Sequence, residues 1–253
     1  MSKNLTELIL SIDAKSINVI SLSHGSLLDR SVSPEVIEIY KEAMERDKFT
    51  CRYCGFHCEK GQEVNHINHD HSNHLLSNLE TVCSLCHQSF HLNSVDINKS
   101  AELIWLPEMT QEELNHLCRT LFVAQRYKDN ANGKSNNFIL NNSISYIYKN
   151  LLFERKRTLD RKFNGASNAG VMGQFLFDMK RENLSDYQNR AKFIKNIKLL
   201  HNPNNFITQT NYWIEYNFKN IPINEWINFA TKSDVAKDTN EFIELNDEPL
   251  INY

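Results

Sequence analysis

The sequence predicts an α+β protein in which a small domain organised by clustered cysteines is followed by a mainly helical region. Three observations predict it. Two CxxC pairs, Cys51–Cys54 and Cys83–Cys86, enclose a polar stretch rich in His and Asn. A brief apolar run of Leu103, Ile104 and Leu106, ended by Pro107, has the length of a strand. From Thr110 onward the apolar residues recur mostly at helical spacing.

The elements follow in chain order. MSKNLTELILSIDAKS carries a short apolar stretch broken by Asp13 and Lys15, without the basic start or cleavage site of a signal peptide, so mature protein is expected from the first residue. No apolar run in the sequence approaches the roughly 18 residues of a membrane span. SPEVIEIYKEAMERD predicts a helix capped by Ser33, with Pro34 in its first turn and Val36, Ile37, Tyr40 and Met44 on one face. Between Cys51 and His91 the composition is that of loops and knuckles. Thr110 to Gln125 is the clearest helix: Thr110 and Glu113 have capping-box spacing, and Leu114, Leu117, Cys118, Leu121 and Phe122 share a face. KDNANGKSNN reads as a linker. Helical patterns follow over about 143–163, 171–182, 187–200 and 211–231, interrupted at Pro203 and Pro222. The expected division is therefore 1–127 for the cysteine domain with flanking helices, 128–231 for a helical region and 232–253 for an acidic, flexible tail.

The 28 Lys and Arg against 31 Asp and Glu leave a net charge of -3. With an isoelectric point near 6.4, this argues against a protein whose main work is gripping nucleic acid. Residues 149–200 are nevertheless basic, holding 12 Lys and Arg against 5 Asp and Glu, a local +7.

The paired cysteines have the spacing of metal ligands. A CxxC turn lets two thiolates converge on one cation, and two such turns close a tetrahedral sphere, so Cys51, Cys54, Cys83 and Cys86 predict a structural Zn²⁺ site with no position left for substrate or water. Cys58 lacks knuckle spacing and is expected to be a spare thiol, and Cys118 a small core residue.

Seven of the ten histidines lie between His57 and His91. The run EVNHINHDHSNHLLSNLETVCSLCHQSFH resembles the HNH endonuclease family in its four-cysteine form. The resemblance implies an HNH-like (treble-clef or ββα) zinc fold. It also implies that His66 takes the place of a water-activating base, Asn78 that of the residue orienting it, and His87 and His91 those of ligands to a second divalent metal. The remaining ligand position, normally acidic or His, is here Asn65, a weaker donor, with His69, Asp70 or His71 as alternatives.

A longer resemblance runs over roughly residues 40–230. DKFTCRYCGF, SNLETVCSLC, LIWLPEMTQEELNHLCRTLF, GQFLFD and RAKFIKNIKLL are similar to the DotN (IcmJ) family of type IVB secretion and conjugation systems. This resemblance implies a cytoplasmic adaptor of the coupling complex, docking on the C-terminal tail of the coupling ATPase beside other subunits and recruited through that partner to the inner membrane. Two readings follow. One is a non-enzymatic adaptor, in which some of Tyr212, Trp213, Tyr216, Phe218, Trp226 and Phe229 pack in the core and any that face outward supply rings for binding. The other is a metal-dependent DNA endonuclease with His66 as base, which the retained His66, Asn78, His87 and His91 favour.

Overall fold

A computed structural model describes residues 7–12, 33–130, 144, 146–222 and 225. Helix α1 (Pro34–Arg46) begins where expected, with Pro at its first turn, although the Ser33 side chain makes no capping bond. It buries Tyr40, Ala43 and Met44 against Val64 and Leu79 of a hairpin. The strands of that hairpin, β1 (Gln62–His66) and β2 (Leu79–Cys83), pair antiparallel from Gln62↔Cys83 to His66↔Leu79. Helix α2 (Ser84–Gln88) follows without a linker, Cys83 standing at its N-cap. Helix α3 (Leu92–Asn98) leads to β3 (Ala101–Trp105) and then to the long α4 (Gln111–Asn130). The α4 capping box forms as its sequence demands: Thr110 N–H donates to Glu113 Oε2 at 2.8 Å and Glu113 N–H to Thr110 Oγ1 at 3.2 Å.

A π-helical stretch, Tyr146–Phe153, hands over to α5 (Arg155–Lys162). Next come α6 (Ala169–Glu182), α7 (Leu184–Gln188), α8 (Ala191–Ile194), β4 (Ile197–His201) and α9 (Ile207–Trp213), which runs on as a π-helical turn to Phe218. Mixed helices and small antiparallel sheets make this an α+β fold.

The expected helix over 187–200 is a correction. Two short helices end at Ile194, and Ile197–His201 is a strand paired antiparallel with β3, Ala101 opposite His201 and Trp105 opposite Ile197. Burial overrides helix propensity here, because all five residues of β4 are buried and its pairing supplies a ladder that β3 would otherwise lack. The ladder ties chain on one side of the expected 127/128 division to chain on the other. Lys128 to Asn130 of the expected linker continue α4. Residues 131–137, Trp226, Phe229 and the tail 232–253 lie outside the described residues.

The β3–β4 ribbon stands between two apolar cores, and the two-residue period of a strand decides which residue faces which. Ile104 and Leu200 point into one core, with Val82, Leu85, Leu114, Phe122, Phe206 and Trp213. Leu103 and Leu199 point into the other, with Leu10, Ile12, Leu92, Leu159 and Leu176. The second core also seats α6 on α3 at short range. A Cβ on Gly173 would strike Asn93 Oδ1, and one on Gly170 would lie 2.5 Å from Asp96 Oδ2. Gly173→Ala is expected to be nearly neutral, since helix propensity returns about 1 kcal/mol while Asn93 rotates aside. Gly173→Leu must displace α3 itself and should cost about 1–3 kcal/mol by overpacking. Thermal unfolding of the two variants checks the contrast; equal melting temperatures would contradict the close seating.

Candidate metal centre

Two turns deliver the cysteines. In the first knuckle Cys51 N–H donates to Phe56 O and Gly55 N–H to Cys51 O, with Gly55 at φ 71°, a left-handed conformation suited to glycine. Arg52 N–H donates to Thr81 O, fastening this knuckle to β2. The second knuckle is the β2–α2 junction, with Cys83 ending the strand and Cys86 in the helix. The result brings the sulfurs of Cys51, Cys54, Cys83 and Cys86 within 4.8 Å of one another, all four residues buried. Such a quartet can hold a metal ion such as zinc. Cys58 and Cys118 are buried but stand outside it, and Cys118 packs in the core as expected.

The surroundings fit a metal thiolate centre. Burial pushes the Cys51 and Cys86 thiols up, while hydrogen bonds from the other three thiols draw Cys54 down. Four buried sulfurs so close cannot all ionise without a cation between them. Donors converge on them from α4. Arg119 Nη2–H points at Cys83 Sγ (3.2 Å) and Cys54 Sγ (3.8 Å), and Asn115 Nδ2–H donates to Cys86 Sγ at 3.2 Å. Arg119 is 1% exposed, and its guanidinium lies 3.8 Å from the Phe56 ring centroid and 5.2 Å from that of Trp213. Its Nη1–H donates to His116 Nδ1, whose Nε2–H in turn donates to the Cys54 carbonyl at 2.8 Å. These donors were missed in the sequence. Trp213 is therefore one of the rings that pack in the core, beside the centre, and is not available as a binding anchor; Tyr212, Tyr216 and Phe218 are half-buried.

A buried polar relay extends from the centre to β4. Gln111 Nε2–H donates to Leu199 O and Leu199 N–H to Gln111 Oε1, so one side-chain amide satisfies both backbone groups of a strand residue. Gln111 also donates to Asn115 Oδ1, as does His201 Nε2–H at 3.1 Å, while His201 Nδ1 faces the Gln88 amide. Burial pushes His201 down to about 3. Unfolded chain binds this proton near pH 6.5 and the folded protein does not, so stability is expected to fall as pH drops from about 6.5 toward 3. With the metal kept saturating, His201→Asn should flatten the decline between pH 7 and 5; an unchanged slope in urea melts would contradict it.

The histidines form a separate chain of rings. His66, 1% exposed, pairs Nε2 with His74 Nδ1 at 3.2 Å, and burial lowers it to about 4, so it is neutral at pH 7. Its ring lies 5.0 Å from that of His71, His71 lies 5.8 Å from His91, and His91 lies 4.8 Å from His87. His87 Nδ1–H donates to Glu63 Oε2 at 2.6 Å. Asn65 is not brought to this group by any hydrogen bond: its Nδ2–H donates to Glu80 Oε1, which also accepts from Tyr53. Asn78 fastens the loop that follows β1, receiving Asn68 N–H and donating to Asn68 Oδ1 and Asn73 O. Among the described residues, the cysteines are the group of three or more potential ligands whose donor atoms converge within 4.8 Å.

No protein-family model matches the chain. Among curated proteins it is 34% identical, over 176 residues, to the type 4 apparatus protein DotN of Legionella pneumophila, an alignment covering 68% of this chain and 76% of that one.

Proposed function

The chain belongs to the DotN family, and from that premise we propose that it is a non-enzymatic adaptor subunit of a type IVB secretion or conjugation coupling complex, stabilised by Zn²⁺. The observation that carries this reading is the alignment itself, which at 34% identity extends over 176 residues, far beyond the cysteine motif. We read β1, β2 and α2 as an HNH-like zinc unit that serves as scaffold. No helix among the described residues is long and apolar enough to cross a membrane. On the family reading, the adaptor works in the cytoplasm and reaches the inner membrane through its partner.

That partner is the C-terminal tail of the coupling ATPase, joined by other coupling-complex subunits. Val171 and Phe175, 49% and 48% exposed, stand one turn apart on the same face of α6 and offer an apolar row for an extended or amphipathic segment. Pull-down of the ATPase tail is expected with the natural protein and should weaken in Phe175→Ser. Absence of binding by the natural protein would remove the partner, and undiminished binding by the variant would remove this row.

The endonuclease alternative assigns His66 as base, Asn78 as its orienting residue, Asn65, His87 and His91 as metal ligands, and DNA as substrate. Two contacts weigh against it: Asn65 turns its Nδ2–H toward Glu80, and the Asn78 side chain is bonded to its own loop and not to His66. Supercoiled plasmid with Mg²⁺, Mn²⁺ or Ni²⁺ should stay uncut. Robust nicking, lost in His66→Ala, would reverse the assignment, since one general base contributes roughly 10²–10⁴-fold.

A further inference from the structure

Residues 7–12 belong to no helix or strand, yet Leu8, Leu10, Ser11 and Ile12 are each no more than 5% exposed. Leu8 packs in the core around the cysteines, and Leu10 and Ile12 in the core beyond the β3–β4 ribbon. The backbone of this segment is held along its length by residues far away in the chain. Leu8 N–H donates to the Glu112 carboxylate, Ser11 N–H to Ser89 O at 2.8 Å, and Leu92 N–H to Ser11 O at 3.4 Å. Arg190 Nε–H donates to Leu10 O at 2.8 Å, and the Tyr187 hydroxyl lies 3.4 Å from both Ile12 N and Ile12 O. Three side chains and two backbone groups thus hold the main chain, while apolar pockets take alternate side chains. Grooves that bind peptide ligands divide the work in the same way. The segment leaves part of its groove open, as a cleft of about 300 Å³ beside Glu7–Leu10, between the start of α4 and residues 191–198. Lys198, 8% exposed, stands in the wall of that cleft, and Glu112 and Glu7 are the acids its charge feels.

Residues 7–12 therefore sit as a peptide ligand would, joined to the rest of the chain through residues 13–32. Fully extended, that connection spans up to about 65 Å, enough to reach the groove of a neighbouring molecule. Helix α1, which follows, packs in a third core against the β1–β2 hairpin, so the segment can leave while α1 stays seated. From this arrangement we propose that the groove is an interface between copies of this chain, in which each copy's residues 7–12 occupy the groove of the other. The occupant fits by construction, because an exchanged segment remakes every bond it leaves. Two reciprocal exchanges close a symmetric dimer without any new surface. The groove selects apolar side chains at positions 8, 10 and 12, with an acid at 7 ahead of them for Lys198. A chain's own segment competes at roughly millimolar effective concentration, so exchange is a minor population at micromolar protein and grows with concentration. The adaptor reading neither requires this interface nor supplies it.

The test uses the full chain and a fluorescein-labelled peptide of residues 5–14, LTELILSIDA. Natural protein should bind the peptide weakly, since its own segment holds the groove. Full-length Leu10→Asp vacates the groove and should bind it about 10²-fold tighter. A peptide carrying the same change should bind neither protein. Because a chain with a charge at position 10 can fail to fold, natural protein is also read alone, by size-exclusion chromatography with light scattering. Its dimer fraction should rise from about 10 µM to about 1 mM, and excess peptide should return the dimer to monomer. A natural chain that stays monomeric over this range, a dimer that excess peptide leaves intact, or peptide uptake indifferent to the Leu10→Asp change would overturn the exchange.

Discussion

Cys83→Ser is expected to yield zinc-free, largely insoluble protein. Cys83 ends β2, stands at the N-cap position of α2 and is completely buried, so it belongs at once to the sheet, the helix and the metal quartet. Its loss leaves three thiolates and an open coordination position in a buried core. Metal binding in small cysteine sites is also folding free energy, about 10–16 kcal/mol at neutral pH, more than the whole stability of most domains. Metal content by atomic absorption and soluble yield check the outcome. A soluble variant with natural melting temperature would show that the quartet organises nothing. Cys58→Ser is the control, because that thiol is buried nearby yet outside the quartet, and it should keep the full metal content.

Arg119→Met should produce the next largest effect. Four thiolates around a divalent ion carry a net charge of two minus, and Arg119 is the buried cation that faces it. Removing one member of a buried charge pair typically costs about 3–5 kcal/mol, since the remaining charge is left in a medium that solvates it poorly. For a chain of this size that corresponds to a fall of roughly 10 °C in melting temperature. Metal transfer to a chelator should also quicken. Arg119→Lys should recover little of the loss, because one ammonium cannot donate to two sulfurs and His116 while lying flat against Phe56. A Met variant with unchanged melting temperature and metal retention would show that the thiolates need no counter-charge.

What could be read from the sequence was whatever is written locally. The CxxC pairs specify their own turns, and Thr110 and Glu113 their own cap, so the quartet and the start of α4 were legible. Arg119, Asn115 and Gln111 were hidden inside a helix read only for its apolar residues. A signal existed: Gln111, Asn115, Cys118 and Phe122 follow the i, i+4, i+7, i+11 stripe, and polar residues on a buried stripe need partners. Residues 197–200 carry a helical pattern yet form a strand because their strand identity resides in Ala101–Trp105, and no local pattern records a pairing partner. The histidines were found through their spacing, but Glu63 was not, since its role depends on facing His87 across the β1–α2 junction.

The β3–β4 ribbon also dictates an order of events during synthesis. Trp105 pairs with Ile197, so roughly ninety residues must be made before the ladder can close, and loops of that length close late and slowly. The core around the cysteines likewise includes Leu200, Phe206 and Trp213. A nascent chain that has just released Cys86 from the ribosome can gather its thiolates, yet the apolar wall meant to cover them is still unmade. Until Trp213 emerges, the knuckle unit stands with that side open to the surrounding solution, which makes this interval the one in which a chelator, an oxidant or a holding chaperone has its best access to the growing protein.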